Sequence, residues 1–589
     1  MTPTPAVERS VSGRCWRWRD HDAALALAIS QRGDLPEVIG RILAARGVLL
    51  DGVPAFIEPR LREALPDPSH LHDLDRAVVR LADAVEAAEP VGLLGDYDVD
   101  GATSLALLAR YLQAVGGTLA IDVPDRLLEG YGPNPQALER LAAQGCRLVV
   151  TLDSGTTAFE ALALAATRGQ HVIVVDHHAA EAHLPEALAV VNPNRCDQDS
   201  PATDLAAVGV TFLLVVALNR TLRSRGHFQR RPEPDLRRWL DLVALGTVCD
   251  VVPLKGLNRA LVTQGLKVAA RGANPGLAAL AAAARLGAPT SAEHFGFVLG
   301  PRVNAGGRTG CSRLAADLLL SDDPDEIALL VARMERLNQE RRAIEREVLA
   351  AAESQVLPAL AAGTPLLCVA GEGWSPGVVG LVAARLVERH HRPAVVIGLE
   401  DGTGKGSGRS VAGFDLGAAV ITARQEGLLL QGGGHPMAAG LTLRAERLEE
   451  VARFLTARLE RDLGPGLPPL PDLTLDGALQ VKALSPGLAL RLGRLGPFGR
   501  GNPEPRFMLP DARSFQLRRI GEGHLDCILQ DAAGGRVRAV AFRAADRPLG
   551  AALLAAAGAP LHLAGTLKLD HWQGQPRTTF RIEDAARCA

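Results

Sequence analysis

Between Val91 and His178 short apolar runs alternate with amphipathic stretches of helical length: VGLL, ATSLALLARYLQAVG, LAIDV, PQALERLAAQG, RLVVTL, TAFEALALAATRG and HVIVV. Runs too short for helices, separated by segments long enough to cross back over a sheet, predict a parallel α/β sheet. Ligands of such sheets sit beyond the carboxyl ends of the strands. After VGLLG come Asp96-Tyr97-Asp98-Val99-Asp100-Gly101, after RLVVTL come Asp153-Ser154-Gly155, and after HVIVV come Asp176-His177-His178. A further apolar segment, WLDLVALGTVC, reads as a helix that delivers Asp250 just before VVP.

Asp96, Asp98 and Asp100 facing one dry site would repel one another, and a multivalent cation is the usual compensation. Carboxylate with imidazole favours Mn²⁺ or Mg²⁺, and the absence of thiolate from the set argues against structural zinc. The D-x-D-x-D-G run imitates the start of an EF-hand loop, but the position that should hold a bidentate glutamate is Leu107. Taken singly, Asp153 reads equally as a turn or helix-cap residue, His177 and His178 as surface histidines, and Asp250 as a loop acid. It is their joint appearance at successive element ends that points to a metal centre.

At 589 residues the chain exceeds what one core supports, and three or four domains are expected. Hydrophobic residues at 47% and charged residues at 22% describe a folded chain throughout. A formal net charge of −2 supplies no global field for a polyanion, so any nucleic-acid contact must come from local charge. Almost all the basic residues are arginine, which suits bidentate phosphate contacts. The eight cysteines are scattered without a C-x-x-C pair, as in a reducing cytosol, and neither a signal peptide nor a long uncharged apolar run is evident. A soluble, cytoplasmic protein is expected.

The domains expected are an N-terminal helical segment (1–50), a parallel-sheet catalytic domain (51–323), a long polar-faced connecting helix (324–360), a second α/β domain (361–465) and a C-terminal OB-like β-barrel (466–589). The barrel is read from six short strands: LTLDGALQV, RSFQLRRIG, HLDCILQD, RVRAVAFR, LHLAGTLKLD and TTFRIED.

The order GDYDVDG, LDSG, VDHH and TVCDVVPL resembles the four phosphoesterase motifs of the DHH superfamily. LGPRVNAGGR (299–308), LNQERR (337–342), GWSPGVVG (373–380), GGGH (432–435) and PFGRGNPEP (497–505) narrow the resemblance to the RecJ nucleases, from about residue 50 to the C-terminus. The resemblance implies a DHH catalytic domain, a DHH-associated domain and an OB-fold. It also implies a single-stranded-DNA-specific 5′ to 3′ exonuclease that releases 5′-mononucleotides by two-metal hydrolysis in DNA repair and recombination. Carried over, Asp96, Asp98, Asp100, Asp153, His177 and Asp250 would bind two Mn²⁺ or Mg²⁺ ions, with Asp153 or Asp250 bridging them. His178 would lie against the scissile phosphate, and Asp176 would orient its neighbours. At Asp96 more distant DHH enzymes carry histidine. DNA over RNA, strand polarity, and RecQ-type helicase and single-strand-binding protein as partners rest on the resemblance alone; the chain is expected to act as a monomer.

For substrate, the Gly432–Gly434 turn before His435 and the helix start at Ser375-Pro376-Gly377 read as anion sites or simply as tight turns. Arg302, Asn304, Arg308, Ser375, Arg409, Gly433, Gly434, His435 and Trp572 are the candidate contacts, and a 5′-phosphate is expected between the two α/β domains. The arginines are equally open to structural ion pairs. In the barrel Phe515, Phe542, Trp572 and Phe580, with Arg518, Arg519, Arg536, Arg538 and Lys568, could stack bases and follow a backbone, or fill the barrel interior. Among the aromatics only Trp572, in HWQGQP, is expected to be exposed. Two rival functions are a DHH hydrolase of short oligonucleotides or cyclic dinucleotides, which would not need the barrel, and a non-catalytic replication scaffold, which would have lost motif acids.

Overall fold

The computed structural model describes residues 6–126, 128–307, 310–572 and 575–588, with only the backbone described at 571 and 572. The chain divides into two units: the first comprises residues 1–307, 312–331 and 472–589, the second 308–311 and 332–471.

In the first unit five parallel strands stand in the order Leu119–Asp122, Val91–Gly95, Leu148–Leu152, His171–Val175, Ala189–Val191. The three central strands are buried apart from His171, which explains their continuous apolar composition. The chain leaves Val91–Gly95 to one side, for Leu119–Asp122, and returns to pair Leu148–Leu152 on the other. This reversal opens a crevice at the carboxyl ends of Val91–Gly95 and Leu148–Leu152, where such sheets bind ligands. The helix Ala207–Ser224 is long and apolar enough to cross a membrane by length and composition, yet most of it is buried inside this unit.

The C-terminal part of the same unit is a closed barrel. Its strands run Phe507–Ile520, His524–Gln530, Arg536–Ala541, Gln575–Arg587 and Pro560–Trp572, and the last pairs back with the first. Phe507, Leu529, Leu563 and Phe580 fill it. The amino-terminal stretch does not stand apart from the barrel: Trp16–Trp18 pairs in parallel with Leu473–Leu475, and the helices Ala23–Gly33 and Glu37–Ala45 bury Ile29, Ile39 and Ile42 in the barrel's core.

The helix Pro324–Ala361 enters the second unit, whose five strands stand in the order Gln431–His435, Ala438–Arg444, Thr403–Arg409, Ala394–Glu400, Leu367–Glu372. Apolar clusters cover both faces of this sheet. One joins Val348, Ala352 and Val356 of the long helix to the helix Pro376–His390, and the other is built on Phe414, Leu416 and Leu455.

Candidate metal centre

The first motif starts where its strand ends. Asp98 caps the helix Val99–Ala114, its carboxylate accepting from the Gly101 N–H at 3.0 Å. That helix begins directly over the turn, and a Cβ on Gly101 would lie 2.6 Å from the Asp96 carbonyl oxygen, so the glycine of the motif is a requirement of close approach. Asp100 is buried and accepts from the Ala207 and Val208 N–H groups at 2.7 and 2.9 Å, at the start of the helix Ala207–Ser224. Asp153 follows its strand in the left-handed region (φ 64°), and Asp250 closes the helix Leu240–Cys249 immediately before Val251 (φ 60°). Left-handed backbone costs a non-glycine residue about 1–2 kcal/mol, so Asp153 is aimed, and the chain turned after Asp250, at some expense in stability.

These side chains converge in three overlapping groups of metal-competent donors: Asp96, Asp98 and Asp153; Asp100, His177 and Asp250; and Asp153, His177 and His178. Within each group the donor atoms lie within 4.8 Å of one another. His177 Nε2 is 3.4 Å from Asp153 Oδ1 and 3.9 Å from Asp100 Oδ2, while its Nδ1 lies 3.1 Å from the Leu205 carbonyl oxygen. A carbonyl only accepts, so Nδ1 carries the proton and Nε2 turns its lone pair to the acids, the tautomer a metal ligand needs. Asp153 Oδ1, His177 Nε2 and Asp250 Oδ2 are buried without hydrogen-bond partners. Unpaired buried acceptors are expensive, and these three fit a divalent cation as their missing partner.

The electrostatics agree. Burial, then the charge of Asp250, raises the Asp100 carboxyl to about 7, and burial with the charge of Asp98 does the same to Asp250. Burial and neighbouring aspartates push Asp96 and Asp153 well above the ordinary carboxylate range. Acids so poised cannot all be ionised at neutral pH without added positive charge.

Asp176 takes another role. One of its oxygens accepts from the His177 and His178 N–H groups and from His178 Nδ1 (2.7 Å), the other from the Thr156 N–H (3.1 Å). Burial would raise its carboxyl, but the bonds from His178 and Thr156 hold it well below the usual range. Burial would lower the His178 imidazole, but the bond to and charge of Asp176 raise it to about 9. This bond favours the protonated imidazole, a form better suited to a phosphate than to a metal.

Sequence reasoning missed several neighbours. Tyr131 donates its hydroxyl to the Asp153 carbonyl oxygen at 2.9 Å and sets its ring edge-on to His178. Arg126 stacks over Tyr97, its guanidinium carbon 4.6 Å from the ring centre. Asn192 and Asn194 donate to the His178 and His177 carbonyls. The signal for the asparagines was present: Asn-Pro-Asn follows ALAVV, the exit of a fifth strand that had not been read as one. From the barrel side, the Arg500 carbonyl accepts from the Leu254 N–H at 2.8 Å and its guanidinium reaches the Val251 carbonyl at 3.4 Å.

The proposed substrate contacts are placed less uniformly. Arg302 donates to the Val298 carbonyl, one turn back in its own helical segment, and Asn304 leaves a buried Oδ1 without a partner. Arg308 lies outside the described residues, as does the side chain of Trp572. In the second unit Ser375 caps the helix Pro376–His390 through the Gly377 N–H, and Arg409 donates to Ser407 Oγ and the Gly408 carbonyl. The Gly432–Gly434 turn is corrected: Gly432, Gly433, Gly434 and His435 belong to the edge strand Gln431–His435, paired with Ala438–Thr442, and the turn falls at Pro436-Met437. Packing requires two of these glycines, since a Cβ on Gly432 would meet Val420 Cγ1 at 2.7 Å and one on Gly434 the Ala438 oxygen at 2.4 Å, whereas a Cβ on Gly433 would meet nothing within 4 Å.

On the barrel the aromatic reading divides. Phe580 is fully buried, whereas Phe515 and Phe542, not expected to be exposed, are 42% and 54% exposed. Most of the barrel cations proposed to track a strand already have partners. Arg518 and Arg538 both pair with Asp526, Arg519 with Asp546, and Lys568 with Glu504 and Glu293.

A two-cation donor cluster at the switch point of a parallel sheet defines a DHH-type phosphoesterase, and the DHH family N-terminal domain model matches residues 90–247. The DHHA1 domain model matches 363–461 and the RecJ OB domain model 475–584. The chain belongs to the RecJ family of single-stranded-DNA-specific exonucleases. It is 37% identical to the RecJ exonuclease of Salmonella typhimurium over 85% of this chain and 88% of that one, and 33% identical to that of Bacillus subtilis over 97% and 70%. The structure of Thermus thermophilus RecJ in complex with Mn²⁺ superposes with a TM-score of 0.80 at 30% identity, covering 97% of this chain and 80% of that chain. A Mg²⁺ complex of the same protein gives 0.75 at 29% identity.

Proposed function

We propose that this protein removes 5′-mononucleotides from the 5′ end of single-stranded DNA by hydrolysis that depends on two Mn²⁺ or Mg²⁺ ions. The observation that carries this is the 3.4 Å approach of Asp153 Oδ1 to His177 Nε2, which sets the Asp96, Asp98, Asp153 group beside the Asp100, His177, Asp250 group, an arrangement suited to two adjacent cations. Asp96, Asp98, Asp100, Asp153, His177 and Asp250 would hold the ions, with Asp153 the shared carboxylate. Bound there, the ions supply an acidified water and positive charge at the phosphate oxygens. His178, protonated and oriented by Asp176, donates to a phosphate oxygen, and Tyr131 keeps the Asp153 backbone in place. Arg302, Asn304, Ser375, Arg409 and the Gly433–His435 strand are assigned to binding the strand and its 5′-phosphate. The catalytic work is assigned to 51–323, connection to 324–360, substrate binding to 361–465, and strand capture to 466–589, with the N-terminal stretch supporting the barrel. A monomeric, cytoplasmic enzyme of repair and recombination, working with a RecQ-type helicase and single-strand-binding protein, completes the reading.

The test is digestion of 5′- and 3′-labelled single strands, in DNA and RNA versions, with Mn²⁺ present. A 5′ label released at once as mononucleotide from DNA, with the 3′ label passing through a ladder of shortening fragments, supports the proposal. Immediate release of the 3′ label, or equal digestion of RNA, overturns it.

A further inference from the structure

Far along the chain from the catalytic motifs, three donors of different chemistry meet on the barrel. His562 Nδ1 lies 3.8 Å from Asp511 Oδ1 and 3.8 Å from Cys588 Sγ, and the three donor atoms all fall within 4.8 Å of one another. We propose that Asp511, His562 and Cys588 form a second metal site, for a borderline cation of the Zn²⁺ class, distinct in chemistry from the hard-cation catalytic centre.

Three observations support it. Zinc ligands at about 2.0–2.3 Å stand somewhat closer together than 3.8 Å, so modest side-chain rotation brings these atoms to bonding distance. The Asp511 N–H donates to His562 Nδ1 at 3.3 Å, so Nδ1 carries the lone pair and already turns it toward the cluster; this long bond is readily exchanged for a metal. The backbone delivers Asp511 by a break in strand register: Leu509 pairs with Leu563 and Ala512 with Leu561, so the bulge between them faces His562. Cys588 follows Arg587, which pairs with Leu561 on the other side of the same strand. Thiolate, imidazole and carboxylate together select a borderline cation over Mn²⁺ or Mg²⁺, with water completing a tetrahedron.

The cluster straddles Phe507–Ile520, Pro560–Trp572 and the end of Gln575–Arg587, the seam at which the first barrel strand pairs with Pro560–Trp572 to close the sheet. A cation there staples the closure and stabilises the barrel without entering the reaction.

Co²⁺ is the probe. The full-length, reduced, metal-free protein is first saturated with Mg²⁺ to fill the catalytic centre, then titrated with one equivalent of Co²⁺. A near-ultraviolet thiolate-to-cobalt charge-transfer band is expected, and the catalytic donors cannot produce it because they include no thiolate. The band should vanish in Cys588→Ser, weaken in His562→Gln with binding about tenfold poorer or worse, and be displaced by Zn²⁺. Zn²⁺ should raise the unfolding temperature of the wild type more than that of Cys588→Ser, while both retain the same nuclease rate in Mn²⁺. No band in the wild type, or a band that survives in Cys588→Ser, overturns the proposal, and neither result bears on the nuclease assignment.

Discussion

The catalytic crevice and the barrel surface solve the problem of charge in opposite ways. In the crevice Asp96, Asp100 and Asp153 are buried together, and Asp153 and Asp250 each leave an oxygen without a hydrogen-bond partner. On the barrel Asp526 sits between Arg518 and Arg538, and Lys568 and Arg581 are both paired with Glu293 of the catalytic region. The crevice is electrostatically incomplete and must import cations, so charge there serves chemistry. The barrel's cations are largely neutralised, so a nucleic acid gains little from it by charge alone, and exposed rings such as Phe542 carry more of any capture.

The comparison breaks most sharply at the shared acid. Asp153→Asn keeps size but removes the charge common to two donor groups, and should cut turnover on single-stranded DNA by roughly a thousandfold or more with the fold retained. Near-normal turnover, beside an unchanged circular dichroism spectrum, would refute the shared role.

The incompleteness of the crevice should also be visible without metal. Asp100 and Asp250 stand at about 7 in the folded protein against an ordinary value of 3.8, so the folded state binds protons that the unfolded state has lost. Their ionisation costs stability above pH 7, and that cost is relieved as pH falls from 7 toward 4. Metal-free protein compared with its Asp100→Asn variant should therefore gain relative stability on moving from pH 8 to pH 5.5, and Mn²⁺ should raise the wild-type melting temperature more at pH 8. A stabilisation by Mn²⁺ that grew on acidification would contradict this account.

Two phenylalanines sharpen the barrel side. Phe580→Ala empties a fully buried position and should cost about 3–5 kcal/mol of barrel stability in denaturant unfolding. Phe542→Ala should leave stability nearly intact and weaken binding to long single strands by about 1–3 kcal/mol. If Phe542→Ala left binding unchanged, the exposed ring would have no stacking role.

The smallest effect expected is a gain. Asp526→Asn releases Arg518 and Arg538, and should tighten oligonucleotide binding several-fold at low salt with a steeper salt dependence. An unchanged salt slope would mean that these arginines face away from the strand.

The sequence by itself determined the parallel sheet and the acids at its strand ends, because alternation of apolar runs with helices is local and a strand exit is one residue wide. It also marked the C-terminal region as a barrel of strands, although three of them run to 13 or 14 residues rather than the short lengths expected. Tertiary structure alone decided which side chains meet. Tyr131 reaches Asp153 across 22 positions, Arg500 reaches Val251 across 249, and the Gly432–Gly434 run became an edge strand because its partner lies beyond the Pro436-Met437 turn. Composition could not tell a stacking phenylalanine from a core one, nor a free arginine from one committed to Asp526. Exposure and ion pairing are properties of the closed barrel, set by which faces its strands turn inward.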